Sequence, residues 1–129
     1  MIKALTARDC MTPHPITVRP DQEVLEAVQL LTGKRISGAP VLDQVGNLVG
    51  VLTEKDCLRV ALDAGYHGTY GGKVSEYMSH EVATIDVDTP VVQVAEMFIE
   101  RPFRRYPVTD GGRLVGVISR RNILEALET

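Results

Sequence analysis

The chain has 129 residues, 44% of them apolar and 24% charged. That balance argues against disorder and lets one compact protein bury roughly two thirds of its unfolded surface. Its formal net charge of −3 and pI near 5.6 lack the basic field that general nucleic-acid binding needs, so no nucleic-acid partner is expected. No apolar run approaches the roughly 18 residues of a membrane span.

Met1, Ile2, Lys3, Ala4 and Leu5 run into Arg8 and Asp9 rather than into an apolar signal core, so a cytoplasmic protein with no membrane insertion is expected. Residues 5–11 read as a short helical lead-in, with Thr6 as its cap, stopped by Pro13 and Pro15. Cys10 and Cys57 stand alone and read as small hydrophobes. Ile16, Thr17 and Val18 form a minimal strand. Asp21 opens a helix to about Leu31, with Val24, Ala27, Val28 and Leu31 on one face, and Gly33 ends it. Residues 39–42 make the next strand, residues 43–47 a hairpin turn, and residues 48–52 the returning strand. Thr53 then caps a helix to about Asp63. Residues 65–72 hold four glycines and read as a linker. Gly72 and Lys73 do not complete a phosphate loop, because the G-x-x-x-x-G-K-[ST] frame is absent.

From Val74 the pattern returns. Met78 repeats Met11, Thr84 repeats Thr17 and Asp88 repeats Asp21. Val91, Val94 and Phe98 mark the second helix face, and Pro107 and Val108 repeat Pro40 and Val41. The run L-V-G-V-L-T-E-K-D at 48–56 comes back as L-V-G-V-I-S-R-R-N at 114–122. Each copy is a buried strand running into a hydroxyl residue at a helix start, with a side-chain oxygen three positions on. The expected fold is α/β of the α+β kind, with two β-α-β-β-α halves at 1–64 and 73–129 joined by the 65–72 linker. A strand–helix–strand crossover favours parallel pairing of the outer strands, with the hairpin adding a third. Each small sheet is left with a bare apolar face, which the two halves can bury on each other.

Thr53-x-x-Asp56 has two readings. It is a capping box, in which threonine caps the helix and the acid reaches back to the free amide. It is equally a carboxylate fixed at a helix N-terminus, a double acceptor suited to a ribose diol. Ser119-x-x-Asn122 departs from it, since asparagine offers one acceptor oxygen and no charge. Arg104 and Arg105 open a strand where the first half has Ser37 and Gly38; they read either as a solvated pair or as a source of one forked phosphate ligand. Arg120 and Arg121 stand in a first helical turn, an unfavourable place for cations unless an anion is near. Lys34 and Arg35 follow a helix end, where cations suit the dipole. His14, His67 and His80 share no metal spacing, Ser119 lacks a G-x-S-x-G context, and no base–nucleophile set recurs, so neither an enzyme nor a metal site is expected.

Taken in order and twice, these pieces resemble a tandem cystathionine-β-synthase (CBS) domain pair, the Bateman module. The resemblance rests on Met11 with Pro13, the strand at 16–18, S-G-A-P-V at 37–41, the 48–56 run, Met78, Thr84 with Ile85, R-Y-P-V at 105–108 and the 114–122 run. It implies two repeats packed through their sheets about a pseudo-twofold axis, with a cleft that takes an adenosine ligand. In that cleft Ile16, Thr17, Ala39 and Pro40 line the adenine, and Thr53 and Asp56 hold the ribose. Arg104 or Arg105 meets phosphate, with Arg120 and Arg121 as secondary candidates, and Thr84, Ser119 and Asn122 mark a weaker second site. The implied function is a stand-alone regulatory, energy-sensing module that binds AMP, ADP or ATP, with AMP or ATP foremost, forms a homodimer and acts on an effector protein, with no cofactor required. The alternatives are a ligand-free dimerisation and docking module, or a sensor of S-adenosylmethionine or NADH.

Overall fold

The computed structural model describes residues 1–68 and 71–128; Thr69 and Tyr70 of the expected linker, and Thr129, lie outside the described residues. After a 3-10 turn at Ile2–Ala4, the elements are α1 (Ala7–Cys10), β1 (Thr12–Pro13), α2 (Val24–Lys34), β2 (Gly38–Leu42), β3 (Leu48–Thr53), α3 (Glu54–His67), α4 (Val74–Tyr77), β4 (Ile85–Asp86), α5 (Val91–Glu100), β5 (Arg105–Asp110), β6 (Arg113–Ser119) and α6 (Arg120–Leu127). They form two compact units, one of Ile16–Val82 and one of Met1–Pro15 with Ala83–Thr129.

In the 16–82 unit, β2 and β3 pair antiparallel with Gly38 opposite Thr53. The expected strand at 16–18 contracts to a single parallel bridge from Val18 to Val41. Val18 donates to Pro40 O (3.0 Å) and accepts from Leu42 N (2.9 Å), so the crossover is parallel as its connectivity demands. Val18, Ala27, Leu31, Ala39, Val41, Leu52, Val74 and Met78 form its core. The helix expected from Asp21 starts at Val24, because Gln22 N–H turns back onto Arg19 O (3.2 Å). It runs through Gly33 rather than ending there. Arg35 takes the left-handed position (φ 54°) and its N–H meets the last carbonyls, a role that needs no glycine when the side chain is solvated. The helix α3 likewise continues past Asp63 to His67, carrying Gly65, and stops at Gly68 (φ 65°), whose N–H reaches Ala64 O.

In the other unit the strand order is β1-β6-β5-β4, with β4 parallel to β5 and the rest antiparallel. Its core holds Ile85, Val87, Val91, Val94, Phe98, Tyr106, Val108, Ile118 and Ile123, joined by Ala7 from the lead-in. The spacing of Val91, Val94 and Phe98 thus marks the buried stripe of α5. β1 has no counterpart in the expected elements: residues 12 and 13 pair with Val117 and Gly116 along the edge of β6, and Pro13 is tolerated because it sits on an edge.

Each lead-in therefore docks on the unit that holds the other repeat's hairpin. Residues 1–15 complete the 83–129 unit, and Ser79, after α4, bonds both ways with Val51 on β3 (3.0 and 2.9 Å). The glycine inside each repeated strand explains how. A Cβ on Gly50 would lie 2.7 Å from Ser79 O and 2.8 Å from Met78 Sδ; one on Gly116 would lie 2.5 Å from Met11 Sδ and 2.8 Å from Thr12 O. Only a missing side chain lets the Met–hydroxyl segment lie so close.

Gly50→Ala and Gly116→Ala are each expected to destabilise the fold by about 1–3 kcal/mol, the usual range of overpacking, measured as a lower urea midpoint. Truncating Met78 or Met11 in the same chain will recover only part of the loss, because the backbone carbonyls remain in the way. A second expectation concerns Tyr77, whose hydroxyl donates to Asp63 Oδ2 at 2.6 Å. That bond, with burial and the charges of Asp63 and Glu76, raises the phenol above its usual value near 10. A raised phenol stabilises the fold in full below the unfolded value and loses that contribution as pH climbs through the folded one. Tyr77→Phe should thus lower the urea midpoint at pH 8, with the deficit shrinking above pH about 10.

Candidate functional site

The 48–56 run ends in a fully formed capping box. Thr53 N–H and Thr53 Oγ1 both donate to Asp56 Oδ2 (2.9 and 3.0 Å), and Asp56 N–H donates to Thr53 Oγ1 (3.2 Å). Glu54 N–H, next in the turn, is met by Ser37 O at 2.9 Å. Asp56 is the buried charged side chain among the described residues, at 7% exposure. A carboxylate survives burial only where donors replace its water, and here the helix terminus supplies them. The cap occupies one oxygen. Among the described residues Oδ1 meets only the Arg59 guanidinium, at 3.8 Å and 61% exposed, a pair that solvent screens. The expected double acceptor is therefore split: Oδ2 is spent on the helix, and Oδ1 lies towards Arg59.

Ser119 and Asn122 rebuild the same box. Ser119 N–H and Oγ donate to Asn122 Oδ1 (2.7 and 2.9 Å), and Asn122 N–H donates to Ser119 Oγ (3.3 Å). The remaining arm is an amide, and it donates to Thr12 Oγ1 at 3.3 Å. The first turns also differ in charge: α3 opens with Glu54 and Asp56, α6 with Arg120 and Arg121 and no acid.

The other predicted residues fall into two sets, one in each unit. In the 16–82 unit, Ile16 and Thr17 are half-buried just before the Val18 bridge, beside the start of β2. Ala39 is fully buried in the core, and Pro40 is buried with its carbonyl already engaged by Val18. The start of β2 and the end of β3 bring Gly38 opposite Thr53, so this sheet end gathers 16–17, 38–40 and 53–56. In the 83–129 unit, Arg105 stands opposite Ser119 in the matching register, which makes Ser37 and Gly38 the counterparts of Arg104 and Arg105. Arg104 is exposed and Arg105 half-buried. Arg120 Nη2 lies 3.5 Å from Phe103 O. Burial raises the Tyr106 phenol above its usual value, against the opposing charges of Arg101 and Arg120. Thr84 is exposed at the start of β4.

Sequence reasoning missed Arg59 and Thr12. Arg59 stands at i+3 from Asp56, a helical ion-pair spacing that was legible; Thr12 became relevant only through the pairing of β1 with β6. Cys57, beside Asp56, has its thiol raised by burial and then by the charges of Asp56 and Glu54, which makes it a poor nucleophile at neutral pH. No group of three or more His, Cys, Asp or Glu able to hold a metal occurs among the described residues, nor is any described helix long and apolar enough to cross a membrane.

Residues 7–63 and 74–129 each match the CBS domain family. The chain is 28% identical over 93% of its length to the uncharacterised protein MJ1225 of Methanocaldococcus jannaschii. It is 29% identical over 94% of its length to the chloroplastic CBS domain-containing protein CBSX2 of Arabidopsis thaliana. It spans 42% and 63% of the lengths of these two curated relatives. The structure of CBSX2 in complex with AMP superposes with a TM-score of 0.85 at 33% identity, over 96% of both chains. The CBS domain pair of protein MJ0100, in complex with 5′-methylthioadenosine and S-adenosyl-L-methionine, superposes with a TM-score of 0.79 at 27% identity, over 95% of both. With two matched copies that repeat the same order of strand, helix, hairpin and capped helix, the chain belongs to the CBS-domain family as a tandem pair of CBS domains.

Proposed function

We propose that the chain is a regulatory module that binds an adenine nucleotide, AMP or ATP, and passes the bound state to an effector protein. The observation that carries this reading is Asp56: a buried carboxylate held by the α3 cap, with one oxygen left to accept from a ribose hydroxyl. Thr53 fixes that acid and stands beside the sugar. Arg104 and Arg105 take the phosphate, with Arg120 and Arg121 adding field, while Ile16, Thr17, Ala39 and Pro40 form the adenine side. The ligands named for CBSX2 and for the MJ0100 pair, each of which contains adenosine, support this choice of class. A ligand shifts the arrangement of the module only through its differential affinity for two states, so regulation needs a site that reads the whole nucleotide. Self-association belongs to the same reading: Leu58, Leu62 and Tyr66 of α3 recur at helical spacing and are exposed, as are Leu124 and Leu127 of α6.

Calorimetry with AMP, ADP, ATP, S-adenosylmethionine and NADH tests the proposal. An adenine nucleotide binding more tightly than about 1 mM, some 4 kcal/mol, is the expected result; with none, the ligand-free docking role takes its place. Asp56→Ala should weaken AMP and adenosine alike. Arg105→Ala should weaken AMP by about tenfold, the worth of one charge-assisted pair, and adenosine by much less. Equal losses would remove this arginine from the phosphate.

A further inference from the structure

The lead-in at residues 1–15 belongs to a unit from which the whole of 16–82 separates it in sequence. It is seated there by contacts with residues 83–129. Ala7 is fully buried in that core, and Met11 lies against Gly116. Ala7 N–H and Arg8 N–H donate to Thr89 O and Val87 O (2.9 and 3.1 Å), and β1 runs along β6. None of these contacts specifies which copy of the chain supplies the lead-in. We propose that two copies exchange their lead-ins, each seating residues 1–15 on the β6 edge of the other, and that the backbone turn at His14 drives the exchange. The partner is a second copy of this chain, whichever ligand the module takes.

His14 and Pro15 are all that stands between β1, which ends at Pro13, and the next unit, which begins at Ile16. His14 is exposed and has φ 53°. A side chain disfavours that left-handed region, and a following proline presses the residue before it towards extended backbone. Both restraints are opposed at this one residue. Pro13 and Pro15 hold their own φ near −65°, so neither can absorb the turn. A short hinge under strain favours the open form, in which the same contacts are made to another copy. Exchange keeps every bond of the lead-in and changes only the hinge. It gives up the tether, whose effective concentration favours the chain's own β6. The strain at His14 is what offsets that loss.

The other lead-in has no such hinge. Val74 N–H donates to Gln22 O, Ser79 pairs with Val51, and the chain continues to Ala83 with no residue in the left-handed region. Outside glycine, His14 and Arg35 alone hold that conformation among the described residues. At Arg35 the turn closes α2, whereas His14 ends no helix.

The test joins lead-in to receiver where they touch at the surface. Arg8 Nη2 and Asp110 Oδ2 lie 3.1 Å apart on exposed side chains, a pair that contributes little to the fold. Full chains with Cys10→Ala and Cys57→Ala, one carrying Arg8→Cys and the other Asp110→Cys, are refolded together and treated with a short bismaleimide. A covalent heterodimer on a denaturing gel is expected. A dimer made through helix faces leaves each lead-in on its own unit and gives no linked species, which would overturn the proposal. A chain carrying both cysteines should link to a second copy; links within single chains alone would overturn it as well. Glycine accepts the left-handed turn without strain, so His14→Gly in both chains should cut the heterodimer about tenfold. An unchanged yield would clear the hinge and sink the inference.

Discussion

Everything in this structure depends on a backbone passing where a side chain would stand. Gly50 and Gly116 sit inside the two repeated strands, and each receives a methionine and the carbonyl of the residue after that methionine. The contact fixes the lead-ins, and the lead-ins fix the register of β1 on β6 and of Ser79 on Val51. It also explains why a run otherwise built of Leu, Val and Ile tolerates a residue that weakens strands. The strand ends that carry Thr53 and Ser119 lie three residues beyond these glycines, so the position of both helix starts is inherited from this packing.

At those helix starts, the cap and the candidate site share one side chain but not one atom. A box residue is needed to satisfy the first free amide of the helix, and either aspartate or asparagine does so with one oxygen. The two differ in the other arm, which the helix does not need. The two boxes differ in that arm: an acid in an acidic first turn at α3, an amide in a basic first turn at α6. The capping and ligand readings of Thr53-x-x-Asp56 do not compete, since they claim different oxygens of one carboxylate.

The sequence made the repeat, the hairpins, the buried stripes of α2 and α5 and both helix N-caps legible, because each rests on a local pattern of period or spacing. It misled at helix ends. Gly33 and Gly65 look like stops, yet both sit on solvated faces where glycine costs only about 1 kcal/mol, and tertiary packing carries the helices through. The strand at 16–18 was legible as extended chain but not as a single bridge, since the length of a ladder depends on its partner. At the candidate site, the residue types could be read, but the division of labour between Asp56 Oδ1 and Oδ2, the burial of Ala39 and the engagement of Asn122 by Thr12 could not. The burial of Ala39 and the engagement of Asn122 follow from contacts between distant parts of the chain, which carry no local signature, and the split of the Asp56 oxygens depends on side-chain geometry that spacing does not show.

The docking of residues 1–15 onto the strands of the second repeat has a consequence for how the molecule is made. Thr12 and Asn122 are bonded across 110 positions, and Arg8 and Asp110 across 102. A ribosome delivers the first of these partners long before the second, so residues 1–15 must wait, unhoused, until the 83–129 segment has been synthesised. The 16–82 unit is contiguous and can assemble first; the other closes last, at the loop-entropy cost that distant pairing exacts on folding speed. Until β6 and α6 have been made, residues 1–15 therefore lack the strand and the helix partner that they pair with in the folded unit.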